Sequence, residues 1–429
     1  MRFLLALAAC LLAAPTSWTL SLYGFNQVKY LENLDLKLAK SPDQQQQHEQ
    51  LSPVILVPGD GGSRIDANLD KTAADFGCYR KTDQFYDIWL NKEQLAPWDI
   101  DCWSDNLRLV YNNVTRKTSN SPGVTIRFPG WGYSETVEWI DTSHAAVSAY
   151  YVNLANALVQ NGYHRGVSIR GAPYDFRKAP NEDVHFPIKM RFLVEEAYII
   201  NNNTPVTLIV HSYGGPMTLN FLHQMSQEWK DKYIKRMISL AGAWGGSVKS
   251  LKVYTIGEDF SNTFVLSNPV KKMLTSTPSL AYLMPSPLFW KPDQVLISTA
   301  SRSYTVNDYQ AFYEGIKHPE GWEMYKDVLP YIQDFSPPGV EVQCYYGSDV
   351  NTIERLDYGS SSDLTDTPTP VFGDGDGTVN LQSLEACQMW IGQQDQLVNA
   401  TKYPKADHMG ILANVDVLRD VVTLLAGGK

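Results

Sequence analysis

The sequence predicts a doubly wound α/β fold, and three observations carry the prediction. Runs of strand length at 54–57 (VILV), 205–210 (PVTLIV) and 236–241 (RMISLA) are apolar with little polar alternation, the pattern of parallel strands buried on both faces. Turns and segments of helical spacing separate them, so strand and helix alternate along the chain. The 429 residues are 44% hydrophobic and 19% charged, which is enough apolar side chain for a large packed core.

The chain opens with MRFLLALAACLLAAPTSW, one Arg ahead of an apolar run closed by small and polar residues. This is the architecture of a secretory signal peptide over about residues 1–18. The run falls short of the ~20 apolar residues that span a bilayer, although a short uncleaved anchor is the other reading. A soluble protein of the secretory pathway is expected. Residues 19–52 read as an N-terminal segment and linker, ending in the polar, proline-bounded SPDQQQQHEQLSP at 41–53. The folded body is expected over 53–426.

Within the body, Pro58 and the glycines at 59, 61 and 62 force a turn after the first strand and present backbone N–H groups at its carboxyl end. Val147, Tyr151, Leu154 and Leu158 fall at helical spacing, so 143–162 reads as a helix capped by Ser143 and stopped by Gly162. GVSIRGAPYDFR at 166–177 gives a short strand and a Pro-containing loop, and 187–200 and 216–229 read as helices. Residues 247–338 break this rhythm. They are rich in Ser, Thr, Pro and Tyr and read as a lid or cap insertion. Strand signals return at 339–346 (GVEVQCYY), and a helix over 414–425 closes the chain.

A balance of 36 Lys and Arg against 46 Asp and Glu gives a net charge of −10, which argues against nucleic acid as a partner. Of five cysteines, Cys10 leaves with the signal peptide, and the even remainder reads as disulfides in an oxidising compartment. Proximity along the chain favours Cys78 with Cys102 and Cys344 with Cys387. The cysteine and histidine spacings suggest no zinc site, and neither a metal nor an organic cofactor is expected. Glycosylation sequons stand at Asn113, Asn202 and Asn399, whereas Asn120 and Asn203 are disqualified by proline.

The most informative run is VTLIVHSYGGPM at 206–217, where Ser212 sits between a buried strand and a helix. In the α/β-hydrolase nucleophile elbow, G-x-S-x-G, small residues permit a turn that lifts the serine hydroxyl above the sheet. Gly214 supplies the second glycine, but Val210 occupies the first position. A serine nucleophile needs a carboxylate and a histidine downstream, in that order. FGDGDGTVN offers Asp374 or Asp376 in a glycine-loosened loop, and His408 is the one histidine that follows it. A calcium loop starting at Asp374 fails because Val379 stands where an EF-hand needs glycine. Joint order is what gives these signals weight: a loop of backbone donors, an elbow serine, an acid loop and a late histidine on one α/β pattern.

These segments resemble the lysosomal phospholipase A2 and lecithin:cholesterol acyltransferase family of α/β-hydrolases. The likeness covers nearly all of 53–426, through VILVPGD, IWLN, DCW, DNLRLVYN, RGAPYDFRKAPNE, VHSYG, WKDKYI, FGDGDGTVN and HMGILAN, and is closer to the lysosomal phospholipase branch. It implies an α/β-hydrolase fold with a cap at 247–338 and a small disulfide-bounded membrane-contact region at 78–120. It also implies a phospholipase and O-acyltransferase working through an acyl-enzyme, with Ser212 as nucleophile, Asp376 as acid and His408 as base. The backbone N–H groups of Asp60 and Tyr213 would form the oxyanion hole, and the two cysteine pairings are the ones proximity favours. Leu95 and Trp98 would touch a phospholipid membrane or lipoprotein surface, a lipid alcohol would accept the acyl group, and a monomer in the lysosome lumen or outside the cell is expected.

Departures from the family pattern are specific. Tyr213 stands where methionine is expected, the oxyanion loop reads Asp60-Gly61-Gly62 with glycine in an apolar place, and Ala-Pro-Trp-Gly-Gly becomes Gly242-Ala243-Trp244-Gly245-Gly246. Lys92, Glu93 and Asp99 make the loop inside the first disulfide more polar, leaving Leu95, Trp98 and Ile100 as its apolar contacts. Asp60 in the oxyanion loop points to an acidic optimum, unless it pairs with a cation such as Arg64. The competing functions are an extracellular phosphatidylcholine-sterol acyltransferase, a carboxylesterase, and a lipid carrier without catalysis.

Overall fold

β1 (Val54–Val57) is apolar at all four positions because both its faces are covered. The computed structural model describes residues 51–73, 77–91, 93–96, 98–257 and 267–427, so the expected signal peptide, Cys10, most of the expected linker and Lys92 lie outside the described residues. With β2 (Ile169–Gly171), β3 (Val206–His211), β4 (Ile234–Leu240), β5 (Val342–Ser348) and β6 (Val398–Pro404), β1 forms a sheet in the order β6-β5-β4-β3-β1-β2. Every neighbouring pair is parallel, and parallel strands require crossovers that lay helices on both faces.

Those helices divide as the strand alternation dictates. α1 (Val152–Gln160) and α5 (Val415–Leu425) pack with Val54, Leu56 and Ile209 on one face. α2 (His185–Ile200), α3 (Gly214–His223) and α4 (Gln227–Tyr233) pack with Ile55, Val57, Leu208 and Val210 on the other. Asn414 caps α5, its side chain accepting from the N–H groups of Asp416 and Val417.

Two helix expectations need correction. The helix foreseen from Ser143 begins only at Val152, because the preceding backbone is committed elsewhere: Ile140 N–H donates to Ser148 C=O at 3.0 Å and Tyr150 N–H to Glu138 C=O at 2.8 Å. Val147 is accordingly 70% exposed. The helix foreseen over 216–229 is two helices, since Ser226 starts a new one by accepting from Trp229 N–H at 3.2 Å.

The insertion after β4 folds into helices Lys249–Ile256, Ser267–Thr275, Pro278–Tyr282, Tyr309–Gly315 and Pro319–Gln333, with short strands Ile297–Ser298 and Ser303–Tyr304. It does not end at 338. Strands Thr352–Asp357 and Thr369–Gly373, beyond β5, complete a second sheet with those two short strands.

Within residues 78–120 the Cys78–Cys102 disulfide closes a loop, and a second disulfide joins Cys344 of β5 to Cys387. Buried Arg177 ties this region to the body, donating to Leu107 C=O and Asn120 Oδ1, both at 2.9 Å. Arg116 ties it to the insertion helix Pro319–Gln333 through Asp327 at 2.5 Å and Glu323 at 2.7 Å, and Tyr111 donates to the same Asp327 carboxylate. Leu95 is a correction. It is only 8% exposed and joins the core cluster together with Ile100, whereas Trp98 is 79% exposed. Among the described residues no helix is long and apolar enough to cross a membrane.

Candidate active site

Ser212 lies at the turn from β3 into α3 with φ +53°, a left-handed conformation that a non-glycine residue adopts at a cost and that recurs at functional sites. Its neighbours explain which glycines the elbow needs. A Cβ on Gly214 would fall 2.5 Å from Pro58 C=O, and one on Gly59 would fall 2.6 Å from Ser212 Cβ. Val210, at the motif's missing first glycine, packs into the core instead. Ser212 N–H donates to Leu240 C=O at 3.1 Å and Ala243 N–H to Ser212 C=O at 3.2 Å, which brace the turn against the end of β4.

The structure brings the three sequence-predicted side chains together. His408 Nε2 is 2.9 Å from Ser212 Oγ, and His408 Nδ1 is 2.6 Å from Asp376 Oδ2. The other Asp376 oxygen accepts from the N–H groups of Thr378 at 3.0 Å and Val379 at 2.7 Å. Burial by itself would raise this carboxyl, but the attraction and hydrogen bond of His408 and the two N–H groups outweigh it and hold Asp376 below its ordinary range. Asp374 has a different place, its Oδ1 accepting from Asp349 N–H at 2.6 Å and Gly375 N–H at 2.7 Å within the loop. The loop that carries His408 rests on β5, where a Cβ on Gly347 would meet both Ala406 C=O and Asp376 Cβ.

Asp60 follows Gly59, which abuts Ser212, and Tyr213 follows Ser212 itself. Among the described residues neither backbone N–H is engaged by a protein acceptor. The Asp60 side chain is accessible to solvent, yet the protein crowded around it desolvates the carboxyl. Crowding wins, lifting it to about 7 against the opposing pull of Lys249 and the Gly61 N–H. Arg64 is not its partner, since that guanidinium pairs with Glu135 at 2.7 Å. Gly61 takes φ +73° beneath Trp89, whose indole N–H donates to Gly61 C=O at 2.7 Å, which is the physical reason for glycine there. The Tyr213 ring is buried against Tyr174 and Tyr282, and its hydroxyl donates to Lys178 C=O at 3.1 Å.

Tyr150 and His211 also belong to this site, and sequence reasoning assigned them no role. His211 gave one signal, as an ionisable residue closing an otherwise apolar strand where it must find partners.

The family model described as lecithin:cholesterol acyltransferase matches residues 85–415. The chain belongs to the lecithin:cholesterol acyltransferase family. It is 40% identical to the lysosomal phospholipase A and acyltransferase of Homo sapiens over 376 residues, covering 87% of this chain and 90% of that protein. It is 39% identical to the phosphatidylcholine-sterol acyltransferase of Gallus gallus over 361 residues, covering 84% and 87%. Among solved structures, a chain of the Tle4-Tli4 complex matches with a TM-score of 0.53 at 11% identity, covering 88% of this chain and 97% of that one, a likeness of fold alone. Away from Ser212, this member of the lecithin:cholesterol acyltransferase family exposes all three sequon asparagines. Asn113 lies in a hairpin turn, Asn202 follows α2, and Asn399 is on the edge strand β6. Among the described residues no cluster of three or more His, Cys, Asp or Glu is placed to hold a metal ion.

Proposed function

We propose that this family member is a serine-dependent phospholipase and O-acyltransferase. It would deacylate glycerophospholipids and pass the acyl group to water or to a lipid alcohol. One observation carries the reading: the unbroken hydrogen-bonded series from Ser212 through His408 to Asp376, at 2.9 and 2.6 Å, in a family whose relatives are named for these activities.

In the first half-reaction His408 Nε2 takes the Ser212 proton as Oγ attacks the ester carbonyl, and Asp376 stabilises the imidazolium. The N–H groups of Asp60 and Tyr213 receive the oxyanion. In comparable sites, loss of one such donor lowers kcat by roughly 10²–10³-fold. Collapse breaks the ester bond, and the departing lyso-lipid alkoxide takes the proton from Nε2. In the second half-reaction water or a lipid alcohol gives its proton to Nε2 as it attacks the acyl carbonyl, and collapse breaks the bond to Ser212 Oγ, which takes that proton back from Nε2. None of these steps calls on a metal or an organic cofactor.

The membrane or lipoprotein surface would be met by exposed Trp98 within a contact region at 78–120, and 247–338 would serve as the cap. A monomer, disposed to the lysosome lumen or the outside of the cell through the secretory pathway and glycosylated at Asn113, Asn202 and Asn399, completes the reading. An intact hydrogen-bonded triad argues against a carrier that has lost catalysis.

The test is lipid-product analysis of the purified protein on phosphatidylcholine liposomes, at acid and neutral pH, with and without a lipid alcohol. Free fatty acid and acylated alcohol are expected, together with labelling by a fluorophosphonate probe. Ser212→Ala should lose hydrolysis, transfer and labelling together, because both reactions share one acyl-enzyme. Wild-type turnover in folded Ser212→Ala protein would overturn the mechanism. A neutral optimum with a sterol as preferred acceptor would select the extracellular alternative.

A further inference from the structure

Behind the triad, two buried side chains join the loops that the chemistry must hold in register. His211 Nε2 is 2.9 Å from the backbone C=O of His408. His211 Nδ1 meets the Tyr150 hydroxyl, and Gly59 N–H reaches the same hydroxyl oxygen at 2.9 Å. A carbonyl only accepts, so Nε2 carries the ring proton. Nδ1 of the neutral ring is then an acceptor, the single Tyr150 proton must go to it, and the Tyr150 oxygen is left to accept from Gly59. One arrangement of protons satisfies all three contacts.

The surroundings hold that arrangement. Burial, followed by the neighbouring His408 charge, pushes His211 down to about 3, so its ring stays neutral. Burial raises the Tyr150 hydroxyl well above its ordinary value, so it stays a donor. The Tyr150 ring stands edge-on to His211 with centroids 5.3 Å apart, and His211 and His408 have centroids 4.9 Å apart. Space for the Tyr150 hydroxyl exists because residue 62 is glycine: a Cβ there would fall 2.7 Å from Tyr150 Cζ.

We propose that Tyr150 and His211 are positioning residues, a relay that locks the Gly59-Asp60 oxyanion loop to the His408 base loop behind the nucleophile. The proposal rests on the triad reading above and extends it. Neither residue touches the reacting atoms. Both fix the distance between the donors that receive the oxyanion and the base that moves the proton, and misplacements of about 1 Å in such a site cost on the order of 10²-fold in rate.

The test uses a short soluble ester, so that interfacial binding does not enter. Tyr150→Phe removes the hydroxyl from both its bonds and should lower kcat about 10- to 100-fold with KM unchanged. Affinity for a reversible trifluoromethyl ketone, which forms a tetrahedral adduct on the serine, should fall by the same factor as kcat/KM. Tyr151→Phe is the control. That tyrosine is fully buried and its hydroxyl donates to Val57 C=O at 2.9 Å, outside the relay. It should lose comparable thermal stability and keep kcat. His211→Gln, whose amide N–H reaches where Nε2 does, should recover most of the kcat that His211→Leu loses.

A folded Tyr150→Phe enzyme with wild-type kcat overturns the relay, as does an equal kcat loss in Tyr151→Phe or a change confined to KM. If Tyr150→Phe does not accumulate as folded protein, the His211 pair decides, and equal loss in both variants overturns it. Failure of the relay would leave Ser212→Ala inactive, whereas failure of the triad reading would leave Ser212→Ala active, so the two are separable.

Discussion

The Cβ that Gly347 lacks would fall 1.8 Å from the Ala406 carbonyl oxygen. β5 thus lies flush beneath the segment leading to His408, and the same missing atom would sit 3.2 Å from Asp376 Cβ. One glycine sets the height of both the His408 segment and Asp376 above the sheet.

Gly347→Ala should therefore displace the segment leading to His408 and crowd Asp376 as well. We expect a loss of about 1–3 kcal/mol in stability, as in overpacked cores, and a fall in kcat on the order of 10²-fold. Thermal unfolding with steady-state kinetics on a soluble ester checks both, and unchanged kcat would show that the loop accommodates the methyl group.

Asp376 and Asp374 are two residues apart and should behave differently. Asp376→Asn should slow acylation by something approaching ~10⁴-fold, the cost of losing a triad carboxylate. Asp374→Asn should act mainly on stability, because its carboxylate holds the Asp349 and Gly375 N–H groups. Pre-steady-state acylation rates separate them, and the reverse ranking would reassign the acid.

Trp98→Ala should weaken binding to phosphatidylcholine liposomes while sparing hydrolysis of a short soluble ester. Its ring is 79% exposed and suited to headgroup depth. Leu95→Ala should instead lower thermal stability, since that side chain packs in the core. Vesicle sedimentation and melting curves distinguish the two, and equal loss of binding and soluble-ester turnover in Trp98→Ala would return Trp98 to a structural role.

The raised Asp60 carboxyl gives a pH signature. It is neutral on the acid side and ionises as pH climbs through about 7, placing a negative charge beside the developing oxyanion. Lys249 and the Gly61 N–H oppose the rise without cancelling it. Activity should fall through that window as the carboxyl ionises. Asp60→Asn should raise activity above neutrality relative to acid pH. A pH-rate profile superimposable on wild type would remove Asp60 from the explanation.

Much of this was legible in the chain. Strands buried on both faces announce themselves by uninterrupted apolar residues, so β1 and β3 could be read directly. The order of Ser212, Asp376 and His408 survives any folding of the segments between. β6 could not be read this way, because VNATKYP lies at the sheet edge and keeps several positions in water. The spacing of Val147 with Tyr151 mimicked a helix that the backbone bonds to Glu138 and Ser148 preclude. Leu95 and Trp98 are three residues apart in one polar loop, and only tertiary packing decides that one is inside and the other out. The partners of His211 come from residues 61 positions before it and 197 after it, beyond the reach of any local pattern.

The hairpin of residues 352–373 leaves the central sheet after β5, completes the insertion's own sheet and returns straight into the loop that carries Asp376. The insertion's sheet and the loop of the candidate acid are therefore cut from one continuous length of chain. Excising 247–338 to make a bare, open esterase would strip Thr352–Asp357 of its neighbour Ile297–Ser298 and loosen the acid it leads to. An engineer remodelling this insertion should work from within, by trimming side chains, because it is not a module that lifts off.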